Sequence, residues 1–233
     1  MLEVTDLTAH YGKSQILNGI SLSVAKGEVV TLLGRNGMGK TTTLKSIAGL
    51  LKSVSGSVEF SGRQLIKEPS FKVARIGLSL VPEGRQIFPN LSVRENLVAT
   101  AANRLNKKNP WDLERVLSMF PALAERLDFM GNLLSGGEQQ MLAIGRALMT
   151  NPQLLLLDDA TEGLAPLIRD DIWQCLGELK SAGLSILIVD KNLRDLAPLA
   201  DRHYIIEKGT LVWSGNSNEL LSDENLTQRH LSV

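Results

Sequence analysis

The chain has 233 residues, enough for one large α/β domain or a core carrying an inserted subdomain. Its 25 basic and 25 acidic residues cancel, so no broad basic field points to DNA or RNA as a partner. Hydrophobic residues make up 43% of it, yet no run approaches the roughly 18 apolar residues that a bilayer-spanning helix requires. The stretch Met1-Leu2-Glu3-Val4-Thr5-Asp6 has neither the basic nor the apolar region of a signal peptide, so none is expected. Cys175 is the single cysteine, which excludes an internal disulfide and a cysteine metal cluster. It falls in a helical pattern and reads as a core residue, and a reducing cytoplasm is the expected home.

Residues 2–33 read as short strands: 2–7, then 15–24, then a hairpin at Lys26-Gly27-Glu28 leading into Val29–Leu33. Tyr11 is placed in the first loop beside Gly12, where it either fills a turn or offers a flat ring for stacking on a base. The β-branched run Val29-Val30-Thr31-Leu32-Leu33 reads as a buried strand, and it runs into Gly34-Arg35-Asn36-Gly37-Met38-Gly39-Lys40-Thr41-Thr42. That stretch fits the phosphate-binding pattern G-x-x-x-x-G-K-[ST]. A helix over 41–50 is expected next, with Leu44, Ile47, Ala48 and Leu51 on one face. The chemistry requires this order. A helix start carries free N–H groups and positive partial charge, and glycines let the backbone bend around phosphate oxygens. Asn36, Gly37, Met38, Gly39 and Thr42 are then candidates to wrap the phosphates, Lys40 to reach the β- and γ-phosphates, and Thr41 to offer its hydroxyl to Mg²⁺. By average residue frequencies the bare pattern arises by chance in about one chain in a hundred of this length.

Strand character returns at residues 56–60 and 76–81, and the second run ends in the polar loop Pro82-Glu83-Gly84-Arg85-Gln86. From 92 to 150 the pattern turns helical. Ser92-Val93-Arg94-Glu95 is a capping box opening a helix that extends to about Arg104. Lys107-Lys108-Asn109-Pro110 reads as a solvated linker, and 111–127 as a helical hairpin broken at Pro121, with Trp111 a staple rather than a ligand platform. In Leu134-Ser135-Gly136-Gly137-Glu138-Gln139-Gln140, a serine and two glycines open a further helix. Ser135, Gly136 and Gly137 form either a plain N-cap or a second anion site, one that has no lysine and would close on a phosphate held elsewhere. Leu154-Leu155-Leu156-Leu157-Asp158-Asp159 is a strand buried on both faces with two carboxylates at its C-terminal end, where ligands of open parallel sheets sit. Asp158 is placed to hold a Mg²⁺ shell and Asp159 to orient water. A helix over 166–182 stopped by Gly183, a strand over 184–189 ending at Asp190-Lys191-Asn192, a short helix, a hairpin around Lys208-Gly209 and a final helix complete the chain.

The phosphate loop, LSGGEQQ and LLLLDD in this order resemble the ATP-binding subunit of an ABC transporter, over essentially the whole chain. VPEGRQIFPNLSVRENL and TEGLAP are similar to a narrower group, the ATPases of branched-chain amino-acid importers of the LivF type. The resemblance implies an α/β P-loop NTPase of ABC architecture: a RecA-like core with an antiparallel β subdomain, formed by 1–83 and 151–233, and an inserted α-helical subdomain over 84–150. It implies ATP and Mg²⁺ as cofactors and a head-to-tail dimer, either of two copies or with a paralogous ATPase. In that dimer Lys40 and Thr41 of one subunit face Ser135, Gly136 and Gly137 of the other. It further implies that Tyr11 stacks on adenine, and that Glu83 senses the γ-phosphate, contacts Mg²⁺ and touches an integral-membrane permease subunit. Ile87 and Phe88 would either be exposed and line the groove for that subunit or pack into the core. A periplasmic solute-binding protein takes part indirectly, and the subunit sits peripherally on the inner face of the cell membrane.

Four positions depart from the family's general pattern. Asp159, followed by Ala160, stands where a catalytic glutamate is usual; Glu83 replaces glutamine, Lys191 a switch histidine, and Ala165 an aspartate. The binding set looks intact and the hydrolytic set altered. The rival expectation is therefore a nucleotide-binding regulatory half with weak turnover. A soluble ABC ATPase acting on ribosomes or DNA is disfavoured by the zero net charge.

Overall fold

A computed structural model describes residues 1–190 and 192–231, with the backbone alone for Glu224 and Thr227. In chain order, β1 (Leu2–Tyr11) and β2 (Ser14–Val24) form a hairpin, followed by β3 (Val29–Leu33) and α1 (Lys40–Ile47). β4 (Val54–Phe60) and β5 (Arg63–Gln64) form a second hairpin, before α2 (Ser70–Arg75) and β6 (Leu78–Val81). A helical stretch holds α3 (Val93–Val98), α4 (Leu113–Met119), α5 (Pro121–Ala124) and α6 (Gly136–Leu148). The chain then alternates β7 (Leu154–Asp158), α7 (Pro166–Ser181), β8 (Ser185–Val189), α8 (Leu193–Leu199) and β9 (Arg202–Glu207). It closes with β10 (Thr210–Gly215), α9 (Ser217–Ser222) and α10 (Glu224–His230).

Among the described residues the strands form two sheets. One has four strands in the order β2-β1-β4-β5, all antiparallel. The other has six in the order β10-β9-β3-β8-β7-β6, parallel except for the edge pair β9–β10. The near-continuous apolar runs of the central strands follow from coverage on both faces. Val29, Leu33, Leu155, Leu157, Ile186 and Ile188 pack toward α6 and α7. Their alternates Val30, Leu32, Leu154, Leu156, Leu187 and Val189 pack toward α1 and the four-stranded sheet. Every position of β3, β7 and β8 is buried, and each leucine so removed from water contributes about 1.5–3 kcal/mol.

Several local expectations are corrected. Lys26-Gly27-Glu28 is not a hairpin, because β2 and β3 belong to different sheets and the turn carries the chain from one to the other. Tyr11 ends β1 rather than lying in a loop, since the hairpin closes over Gly12 and Lys13 alone. The capping box at Ser92 and Glu95 is formed, with both hydrogen bonds present, but α3 ends at Val98 instead of near Arg104. Helix α2 was not anticipated, and the final helix is a pair. Lys107 is not a solvated linker residue: it is half-buried, and its Nζ donates to the Pro152 carbonyl at 2.7 Å. Trp111 is buried, its backbone N–H donating to Asn151 Oδ1 at 2.6 Å, and Cys175 is, as expected, a core residue, its thiol pKa pushed up to about 12 by burial. No helix among the described residues is long and apolar enough to cross a membrane.

Two stability predictions arise here. Helix α7 starts at Ala165 with no side-chain cap. Ala165→Asp should raise stability by about 1 kcal/mol in chemical denaturation, by accepting from free N–H groups of the first turn; an unchanged midpoint would show that the cap does not form.

The second concerns His203, fully buried in β9. Its Nδ1 lies 2.7 Å from Thr31 Oγ1 and its Nε2 2.8 Å from Ser217 Oγ, which itself donates to the Ala197 carbonyl. Nε2 therefore donates and Nδ1 accepts, so the ring is satisfied neutral, and burial pulls its pKa down to about 4. The unfolded chain then binds the extra proton between pH 6.5 and 4. Stability should fall by about 3 kcal/mol as pH drops through that window, and the loss is complete below it. His203→Gln should flatten the slope of urea midpoint against pH; an unchanged slope would assign it to other groups.

Candidate nucleotide site

Because β3, β6, β7 and β8 run parallel, their C-terminal ends share one edge of the sheet. That edge collects the loop 34–39 after β3, the turn at 82–86 after β6, Asp158 and Asp159 at the end of β7, and Asp190 after β8.

The loop's path depends on glycines at two points. Gly34 has φ 144°, and a Cβ there would meet the Ile206 carbonyl oxygen at 2.3 Å. Gly39, at φ 111°, precedes α1, and a Cβ there would press on Leu17 at 2.8 Å. The β9–β10 turn holds the loop from outside: the Gly209 N–H donates to the Met38 carbonyl at 3.0 Å and the Lys208 N–H to Met38 Sδ at 3.2 Å. From the other side Arg35 Nη2 donates to the Arg229 carbonyl of α10 at 3.2 Å. Lys40 is buried, with its Nζ donating to the carbonyls of Gly34 at 2.8 Å and Arg35 at 3.0 Å across the mouth of the loop.

Thr41 Oγ1 donates to Asp158 Oδ1 at 3.0 Å, joining the first turn of α1 to the end of β7. The other oxygen, Asp158 Oδ2, is buried without a hydrogen-bond partner. Burial raises the Asp158 carboxyl above its ordinary range, while the Thr41 hydrogen bond pulls it back, Glu83 opposes that, and Lys45 and Lys40 assist. An orphaned buried carboxylate oxygen beside a threonine hydroxyl is a hard oxygen pair suited to Mg²⁺.

A cavity of about 440 Å³ opens over the loop, walled by Tyr11, Ile16, Asn36, Gly37, Gly39, Lys40, Thr41, Thr42, Glu83, Asp159 and Glu162. Tyr11 and Glu83 come to it from opposite sides, the first from the four-stranded sheet and the second from the turn after β6. Ser135, Gly136 and Gly137 are not among its walls. They open α6, where Ser135 and Glu138 form a capping box and the Arg85 guanidinium covers Gly136. Of the two readings left open, Ile87 takes core packing, partly buried against the core, and Phe88 takes exposure, under the Arg146 guanidinium. Lys191 lies outside the described residues.

Glu162 was missed as a site candidate. Asp159 adopts a left-handed backbone, φ 51°, with its N–H donating to the Val189 carbonyl at 2.9 Å. Thr161 donates through its N–H and hydroxyl to Asp190 Oδ2 at 3.0 and 2.7 Å. These bonds fold the chain back, so carboxylate oxygens of Glu83, Asp159 and Glu162 lie within 4.8 Å of one another. The sequence signal was TEGLAP itself, in which Glu162 could be quoted but not located.

The protein family described as "ABC transporter" matches residues 17–162, which contain the phosphate loop, LSGGEQQ and both aspartates. The chain belongs to the ATP-binding subunits of ABC transporters. It is 39% identical over 231 residues to the high-affinity branched-chain amino acid transport ATP-binding protein BraG of Pseudomonas aeruginosa, covering 99% of each chain. It is also 34% identical over 232 residues to the lipopolysaccharide export system ATP-binding protein LptB of Escherichia coli, covering 99% of this chain and 96% of that one. Among solved structures, a nucleotide-free ATP-binding cassette from an ABC transporter superposes with a TM-score of 0.85 at 28% identity, covering 98% of this chain and 97% of that one. A cassette in its ADP conformation gives 0.83 at 29% identity, with the same coverage. The expected P-loop ABC ATPase fold is thus borne out, and the subunit is an ATPase that uses ATP and works with membrane permease components.

Proposed function

We propose that this ABC ATPase powers uptake of branched-chain amino acids, with nucleotide and Mg²⁺ held by the residues gathered at the sheet edge. The observation that carries the catalytic part is the unpartnered Asp158 Oδ2 beside Thr41 at the foot of the 440 Å³ cavity. In this reading Thr41 and Asp158 hold Mg²⁺, with Glu83 adjoining, and the ion supplies charge neutralisation to the transferring phosphoryl group. Loop amides from Asn36 to Thr42 wrap the phosphates. Lys40 exchanges its loop carbonyls for β- and γ-phosphate oxygens, and Tyr11 offers its half-exposed ring to the base. Asp159 orients the attacking water, and Lys191 is proposed to contact the γ-phosphate as a point charge.

Ser135, Gly136 and Gly137 open the 13-residue α6 and are not among the walls of this cavity, and in this reading they act on the nucleotide of a second subunit, either another copy or a paralogue. Residues 84–150 then form the helical subdomain that carries them, and 1–83 with 151–233 the nucleotide-binding core. The permease contacts the turn around Glu83 and the exposed Phe88, which places the subunit peripherally on the cytoplasmic face of the membrane, with a periplasmic binding protein delivering solute.

Import of branched-chain amino acids rests on the 39% identity to BraG along both whole chains. Uptake of labelled leucine, isoleucine and valine in cells deleted for this subunit tests it. Slower uptake of all three, restored by the wild-type chain, is expected. Normal uptake together with a lipopolysaccharide-export defect would overturn the solute and the direction together.

A second reading, a regulatory half with weak turnover, is favoured by the short Asp159 side chain and by Glu83 and Glu162 beside it, which place negative charge near the γ-phosphate position.

A further inference from the structure

A second large cleft lies at the opposite, amino-terminal edge of the parallel strands. Lys26 precedes β3, Pro152 and Gln153 precede β7, and Leu184 precedes β8; the segment 105–115 covers them. The open cleft has a volume of about 600 Å³, within the range of small-molecule sites.

Every ionisable side chain on its walls is cationic: Lys26, Lys107 and Arg115 line it, and no carboxylate does. Among the described residues none of the three forms an ion pair. Lys107 donates to the Pro152 carbonyl at 2.7 Å. Arg115 Nη1 donates to the Asn109 carbonyl at 3.1 Å, and its guanidinium stacks 3.7 Å above the centre of the buried Trp111 ring. These contacts fix Lys107 and Arg115 in place without neutralising them. Burial first, and then the nearby Arg115 charge, hold the Lys107 ammonium below its usual range, as expected for two cations sharing a partly desolvated space. An anion entering this space meets two charges already oriented, so less binding energy is lost to ordering side chains. Leu105 and Leu184 add an apolar wall.

We infer that this cleft binds a small organic anion carrying two or more carboxylate or phosphate groups, held by Arg115, Lys107 and Lys26. The site is separate from the nucleotide cavity and shares no wall with it. It stands whether or not the solute assignment above does.

Calorimetric titration of the full chain tests it, with ADP saturating the phosphate loop and with citrate and pyrophosphate as the two probes at low salt. At least one should bind with Kd below about 1 mM, and Arg115→Gln should weaken it by about tenfold or more. Binding of citrate alone identifies a carboxylate ligand, of pyrophosphate alone a phosphate ligand. Arg115 packs on Trp111, so if Arg115→Gln fails to melt cooperatively, the exposed Lys26→Gln takes its place, with an expected loss of about threefold or more. Neither probe binding below about 1 mM, or unchanged affinity in the folded variant, overturns the inference.

Discussion

Lys40→Ala should reduce ATP turnover by at least about a hundredfold and weaken nucleotide binding, while the chain remains folded. The ammonium already sits at the loop mouth, donating to the Gly34 and Arg35 carbonyls. In the proposed complex it exchanges them for phosphate oxygens, whose charge grows toward the transition state. A single preorganised donor to such charge is worth about 10²–10³ in rate. The substitution removes the two Nζ bonds to the Gly34 and Arg35 carbonyls, but the loop path also rests on the backbone angles of Gly34 and Gly39 and the backbone bond from Gly209, which stay. Circular dichroism and melting should therefore be close to wild type, and nucleotide binding by calorimetry should drop. Turnover within a few-fold of wild type in Lys40→Ala would sink the proposed role of the loop.

Asp159→Glu should raise single-turnover hydrolysis by about ten- to a hundredfold. One added methylene advances the carboxylate by roughly 1 Å, and misplacement on that scale costs on the order of a hundredfold. The Asp159 N–H is tied to the Val189 carbonyl, so the longer side chain starts from nearly the same place. A rise of this size would show that the wild-type chain is held back at Asp159 and would favour the regulatory-half reading. Equal rates would leave that reading without a basis and would direct attention to Glu162, the neighbouring carboxylate on the same loop.

How much could be read from the chain alone varies with the range of the interactions involved. The run from Val29 to Leu33 with its loop and helix was legible because a buried strand, bending glycines and a helix start are each encoded within a few residues. The capping box at Ser92 was legible for the same reason, a hydroxyl and a glutamate three residues apart bonding each other's backbone, and so was the serine start of α6, although the reciprocal bond from Glu138 there was not anticipated. Lengths were less legible. α3 stops at Val98 because the segment beyond it is held by tertiary contacts, with the Ala102 N–H bonded to the Met149 carbonyl and Asn151 Nδ2 to the Ala102 carbonyl. The turn at 26–28 was misread because two apolar runs around a glycine turn look alike whether they join one sheet or link two.

The amino-acid order alone determined the class of fold, the phosphate loop, the two carboxylates ending β7 and the lysine-free serine-capped helix, since all of these arise from neighbours in the chain. Only the tertiary structure decided that Tyr11 and Glu83 reach one cavity while Ser135 is not among its walls. It alone revealed that Asp158 keeps an unpartnered oxygen beside Thr41, that Glu162 folds back next to Asp159, and that Lys26, Lys107 and Arg115 meet at the far edge. The physical reason is distance along the chain. Thr41 and Asp158 are 117 residues apart, and no local pattern reports which strand ends a parallel sheet will bring side by side.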